Sequence, residues 1–156
     1  LYVWEYETFF DDYVASDNEF RVGLIDPGNN YVTGHADHNP TSNDRLMLVA
    51  RTSVNSGKFQ VEWVKGGMAD AAVDAGVSPS GFMRIRIEVV TSGIASADRT
   101  TIYINGAKVY TKAAVLDIPV GFSASIEGKV AAGGGTITVS PIDIYAARVA
   151  AGSTPL

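Results

Sequence analysis

"TTIYINGAKVYT", residues 100–111, alternates apolar with polar side chains, breaks at Asn105-Gly106, and then resumes. An Asn-Gly pair between two such runs is the sequence of a β-hairpin. A type I′ turn takes both central residues to positive φ, and its twist matches the strands on either side. Gly106→Val is therefore expected to cost more than a routine surface change.

The same period of two extends in both directions from this hairpin. Tyr2, Trp4, Tyr6 and Phe10 share one parity, and Glu5 and Glu7 the other. Phe20, Val22 and Leu24 alternate with Arg21 and Gly23, and Leu46, Leu48 and Ala50 stand against Arg45 and Arg51. Phe59, Val61 and Trp63 oppose Gln60 and Glu62, and Met83, Ile85, Ile87 and Val89 oppose Arg84, Arg86 and Glu88. Ile102 and Ile104, then Phe122, Ala124 and Ile126, then Ile137 and Val139, then Ile142 and Ile144 continue the series between turns rich in Gly, Asn, Asp and Pro. Successive side chains of a strand point to opposite faces, so each predicted strand has one dry and one wet face. Alternating strands with little helical periodicity between them predict an all-β, antiparallel sandwich or barrel, because a parallel sheet needs crossover helices and continuous apolar runs. Trp4, Trp63, Phe20, Phe59 and Phe122 read as core. One segment is ambiguous: "GGMADAAVDAGVSPSG", residues 66–81, fits a short helix from Met68 to Ala75 or a strand and turn, and intrinsic propensity favours the helix. "AAGGGTITV", 131–139, reads as a glycine-rich loop before a late strand.

A chain of 156 residues suits one domain, read as residues 1–150 followed by a small, polar, breaker-rich tail at 151–156. No apolar run approaches the ~18 residues of a membrane-spanning helix. Seventeen acidic against twelve basic residues give a net charge of −5, which repels phosphate backbones and argues against nucleic acid. The absence of cysteine excludes disulfides and thiolate chemistry. "LYVWEYETFF" has no basic n-region and carries two glutamates, unlike a signal peptide, and its leading leucine suggests a fragment of a longer protein.

Three stretches carry a family resemblance: "GVSPSGFMRIRIEVV" (76–90), the hairpin at 100–111, and "ITVSPIDIYAARV" (137–149), with a weaker echo in "FRVGLIDPGN" (20–29). Together they resemble the concanavalin A-like, laminin-G-type jelly roll, in the cysteine-free form found in bacteriophage tail-fibre and capsid-surface proteins. The resemblance implies two antiparallel sheets, one concave, with ligands on the concave face or its rim. Its members include lectins, adhesion modules, virion structural domains and glycan-degrading enzymes, so the fold does not choose a function.

Glycoside hydrolysis needs two carboxyl groups in register, and Glu5 and Glu7 are the candidates, two apart on one strand and about 7 Å apart. The Glu-x-Asp-x-x-Glu strand of glucanases with this fold is missing, since "WEYET" supplies neither its aspartate nor its last glutamate. His35 and His38 lie in the polar stretch "YVTGHADHNPTSND", 31–44, with no evident orienting partner, and no Gly-x-Ser-x-Gly elbow occurs. Asp26, Asn29, Asn30 and Asp37, with Asn39 and Asp44 beyond them, are oxygen ligands of the kind that suits Ca²⁺, although the same residues cap turns without any metal. Asp11, Asp12, Asp17 and Glu19 carry the same two readings. If Ile85, Ile87, Ile102 and Ile104 face the core, then Arg84, Arg86, Glu88 and Tyr103 face outward, as do Gln60 and Glu62. Such a polar face with an aromatic ring stacks sugars and bonds their hydroxyls, while outward Arg and Glu also pair across a sheet with no ligand at all. Tyr145 is a second outward ring by the same parity.

The expectation is thus a non-catalytic display or adhesion module of a virion surface, or else a secreted one. Its partners would be a polysaccharide or cell-surface glycan, other virion proteins and further copies of itself, with no nucleic acid and no membrane. A small polysaccharide hydrolase or lyase, and a purely structural oligomerisation domain, are the alternatives. No cofactor is expected, and calcium at the 26–37 region is the one candidate.

Overall fold

The alternation seen in the sequence becomes, among the described residues, eleven strands. In the computed structural model, which describes residues 1–10, 19–25, 45–51, 55–65, 68–90 and 100–113 and the backbone of 123–129 and 143–148, these are β1 (Tyr2–Phe10), β2 (Glu19–Ile25), β3 (Arg45–Arg51), β4 (Phe59–Lys65), β5 (Met68–Ala69), β6 (Val73–Asp74), β7 (Gly81–Val89), β8 (Thr100–Ile104), β9 (Ala107–Lys112), β10 (Ser123–Lys129) and β11 (Asp143–Arg148). Among the described residues the only helical turn is a 3-10 turn at Asn55–Gly57.

Every pairing among the described strands is antiparallel. One sheet runs β11-β1-β7-β8-β9 and the other β10-β2-β3-β4-β5, with β6 also pairing with β4. The chain passes from the first sheet to the second after β1, returns at β7, crosses again to β10, and comes back to lay β11 beside β1. The protein is an antiparallel two-sheet β-sandwich, with crossings compatible with a jelly roll.

The even-parity residues of β1 and the odd-parity residues of β7 supply one wall of the core: Trp4, Tyr6, Phe10, Met83, Ile85, Ile87 and Val89 are buried, with Ile102 and Ile104 from β8. Phe20, Val22, Leu24, Leu46, Leu48, Ala50, Phe59, Val61 and Trp63 supply the other. The Val, Leu, Ile, Phe and Met side chains among these each contribute roughly 1.5–3 kcal/mol by leaving water. Phe10 meets Phe20 edge-on with ring centroids 4.8 Å apart, and both lie edge-on to Phe59 at 6.3 and 6.4 Å. The sheets are also joined by a buried hydrogen bond: the Tyr6 hydroxyl donates to the Gly23 carbonyl oxygen at 2.7 Å. A Cβ at Gly23 would sit 2.1 Å from the Leu46 carbonyl oxygen, so only glycine lets β2 approach β3 this closely. At one open side of the sandwich Lys112 of β9 reaches the other sheet, pairing with Asp70 and lying 5.0 Å from the Trp63 ring centroid.

The hairpin forms as its sequence predicts. Asn105 and Gly106 have φ of 50° and 80° between β8 and β9, and nothing else lies within 4 Å of a Cβ at Gly106, so the cost of valine there is conformational and not steric.

One alternative is settled and one expectation needs correction. Of the two readings of residues 68–75, the strand holds and the helix does not: Met68–Ala69 and Val73–Asp74 are short strands that complete the edge of β4. Tertiary pairing outweighs alanine's helical preference here. Nor does each strand have a wet face. Arg21, Ile25, Arg45, Met47 and Val49 point away from the core, yet all are buried. The expected strand at Ile137–Val139, the core position of Phe122 and the tail lie outside the described residues.

Candidate functional site

Three strands of the first sheet build a groove on its outer face. β1 pairs with β7 so that Glu5 lies opposite Arg86 and Glu7 opposite Arg84, and β7 pairs with β8 so that Arg86 lies opposite Tyr103. Directly paired residues share a face, which brings carboxylate, guanidinium and phenol into one row across the sheet. The groove has a volume of about 600 Å³ and is lined by Glu5, Arg84, Arg86, Glu88, Tyr103, Asn105 and Gly106.

The hairpin turn forms one end of this groove and is stitched to β7. The Asn105 backbone N–H donates to the Arg84 carbonyl at 2.8 Å, and the Asn105 side-chain Oδ1 accepts from the Arg84 N–H at 2.8 Å. Asn105 therefore sits in the left-handed region while its side chain continues the ladder that its backbone has left.

Charge pairing fixes the floor. Arg84 donates to Glu5 Oε2 at 2.8 Å, with Glu7 3.5 Å from its Nε. Arg86 reaches Glu5 Oε1 at 3.5 Å with one terminal nitrogen and Glu88 at 2.5 Å with the other, while its Nε is buried without a hydrogen-bond partner. The hydrogen bond and charge of Glu5, with a smaller contribution from Glu7, raise the Arg84 guanidinium above its ordinary range. Each carboxylate oxygen of Glu5 faces a guanidinium, so the candidate catalytic pair Glu5 and Glu7 is held in ion pairs, the arrangement expected of a structural carboxylate.

The structure thus brings together Tyr103, Arg84, Arg86 and Glu88, with Glu5 added. It does not bring Gln60 and Glu62 to them. Both lie on β4 in the other sheet, on the opposite side of the sandwich, where Glu62 accepts from Arg51 at 2.9 Å and lies 3.6 Å from Arg45. Outward parity is shared by both sheets, but their outward faces point in opposite directions. Tyr145 falls opposite Glu5 in the backbone register of β11.

Two residues escaped sequence reasoning. Phe9 and Phe82 are 42% and 61% exposed and are direct cross-strand partners, one step along the same face from the Glu7–Arg84 pair. Phe9 shares the parity of Glu5 and Glu7, and Phe82 that of Arg84, so the signal was present.

The suggested calcium ligands Asp26, Asn29, Asn30 and Asp37, along with Asn39, Asp44, His35, His38, Asp11, Asp12 and Asp17, lie outside the described residues. Glu19 is described, and it pairs with Arg21 and Arg51. Among the described residues no group of three or more His, Asp or Glu could hold a metal ion, and no helix is long and apolar enough to cross a membrane. Comparison with known protein families and with curated proteins finds no match to this chain.

Proposed function

We propose that this β-sandwich is a non-catalytic display or adhesion module that binds glycan through the groove on its first sheet. The carrying observation is the arrangement around Tyr103: an aromatic ring beside fixed Arg–Glu pairs, on hydrogen-bonded strands that hold donors and acceptors still. Glu5, with each oxygen turned to a guanidinium of Arg84 or Arg86, favours binding over hydrolysis. The likeness of residues 76–90, 100–111 and 137–149 to concanavalin A-like, laminin-G-type jelly rolls extends the proposal to a virion surface, in a capsid-surface or tail-fibre protein, with other virion proteins as neighbours.

Glycan-array binding combined with a reducing-end assay tests this reading. Tyr103→Ala should lose glycan binding while keeping its melting temperature. Turnover that disappears in Glu5→Gln would overturn it in favour of a hydrolase. Chelation should leave the melting temperature unchanged; a fall restored by added Ca²⁺ would assign an ion to the 26–37 region.

A second reading, a structural domain that oligomerises, is favoured by the edge of the second sheet, where Met68 and Val73 are exposed. Sedimentation of the wild type and of Met68→Ser would reveal it as a loss of assembly.

A further inference from the structure

Resting on the glycan-binding reading, we infer that the occupant is a neutral polysaccharide lying along β7, from Tyr103 beside Arg86 to the Phe9–Phe82 ring pair beyond the Arg84 end of the groove. The first reason is charge. Two guanidiniums, Arg84 and Arg86, and two carboxylates, Glu5 and Glu88, line the groove, and each guanidinium is already paired with a carboxylate. A uronate or sulfate would have to break one of these pairs in a chain whose net charge is −5. A hydroxyl breaks none of them, because carboxylate lone pairs and guanidinium N–H groups that are spare within a pair accept and donate at the same time.

The second reason is the position of the rings. Phe82, Arg84, Arg86 and Glu88 follow one another at every second residue of β7, and Tyr103 stands beside Arg86. Phe82 is four residues from Arg86 along the strand, roughly 13 Å. A single sugar does not span that distance, whereas a polymer does. Its apolar C–H faces would lie on the rings at either end and its hydroxyls on the charged pairs between them. Phe9 and Phe82 form an exposed cross-strand aromatic pair where a solvated sheet face needs none.

The test titrates the 156-residue chain with neutral polymers (dextran, galactomannan, a mixed-linkage β-glucan) and with uronate polymers (alginate, polygalacturonate), at low and high salt. The expected result is binding of a neutral polymer with equal affinity at both salt levels, inhibited by its oligosaccharides and not by its monosaccharide. Phe82→Ala should weaken that binding about tenfold and Phe82→Trp should restore it. An unchanged melting temperature shows that Phe82→Ala has folded; Phe9→Ser serves as the second variant if it has not. Preference for a uronate polymer with salt-sensitive affinity would overturn the inference and leave the glycan reading standing. So would neutral-polymer binding lost in Tyr103→Ala but unaffected in Phe82→Ala and Phe9→Ser. Absence of binding to every polymer would sink the glycan reading itself. Self-association that Phe82→Ala dissolves would assign the rings to a second copy of the chain and overturn the inference.

Discussion

The two outer faces of the sandwich are written in the same alphabet and have opposite fates. On β7 the outward residues Arg84, Arg86 and Glu88 line an open groove, and the Arg84 side chain is 54% exposed. On β2 and β3 the outward Arg21 and Arg45 side chains are 9% and 4% exposed and lie among buried Met47 and Val49. Alternation establishes that a side chain leaves the core; it does not establish that the side chain reaches water. The Arg84 pairs in the open groove are held near solvent, where an ion pair contributes little. On the covered face, removing one partner strands the other in a poorly hydrated site.

The sharpest way to break this comparison is at Gly23, where the covered face needs a strand with no side chain. Gly23→Ala should destabilise the protein by about 3 kcal/mol or more, because the added methyl collides with the backbone at Leu46, and it also disturbs the carbonyl that Tyr6 binds. Denaturant unfolding measures this, and a loss under about 1 kcal/mol would mean that β2 and β3 are less tightly apposed.

Next comes Glu62→Ala, which leaves Arg51 and Arg45 without this carboxylate and should cost roughly 2–3 kcal/mol by the same measurement.

Acid titration sharpens the contrast further. Burial pushes the Glu19 carboxyl up, but hydrogen bonds and charge from Arg21 and Arg51 outweigh it and hold the group below the usual range. The unfolded chain therefore takes up this proton at a pH where the folded chain does not. The stabilisation is complete above the ordinary glutamate value of ~4.3 and is lost as pH falls through the folded value. Stability followed from neutral to acid pH should fall in that window, and Glu19→Gln should flatten the fall.

The smallest effect belongs to the open face. Arg84→Ala should leave the denaturant midpoint almost unchanged, as suits an exposed pair, while glycan binding drops. A large loss of stability would make the two faces alike.

The strands and the core were legible in the sequence because both follow from the local period of two, and the Asn-Gly hairpin was legible because few residues tolerate its backbone. What was not legible was non-local. Gln60 and Glu62 have the same outward parity as Arg84 and Arg86, and only the pairing of β1 with β7, across more than seventy residues of chain, decides that they lie on different sheets. The burial behind β3 did leave a trace. "LMLVA", residues 46–50, is a continuous apolar run, which is how a strand dry on both sides reads. Phe9 and Phe82 are a different case: large rings default to the core, although parity places these two outside.

The free margin of β4 has a further consequence. Its amide groups are spent piecemeal, on Val73–Asp74 near one end, on Met68–Ala69 at the other, and on single bonds to Asp70, Ala75 and Val77. A foreign chain arriving in extended form meets no long unbroken template there, so stacking into fibrils finds no foothold along that margin even when many copies are crowded side by side.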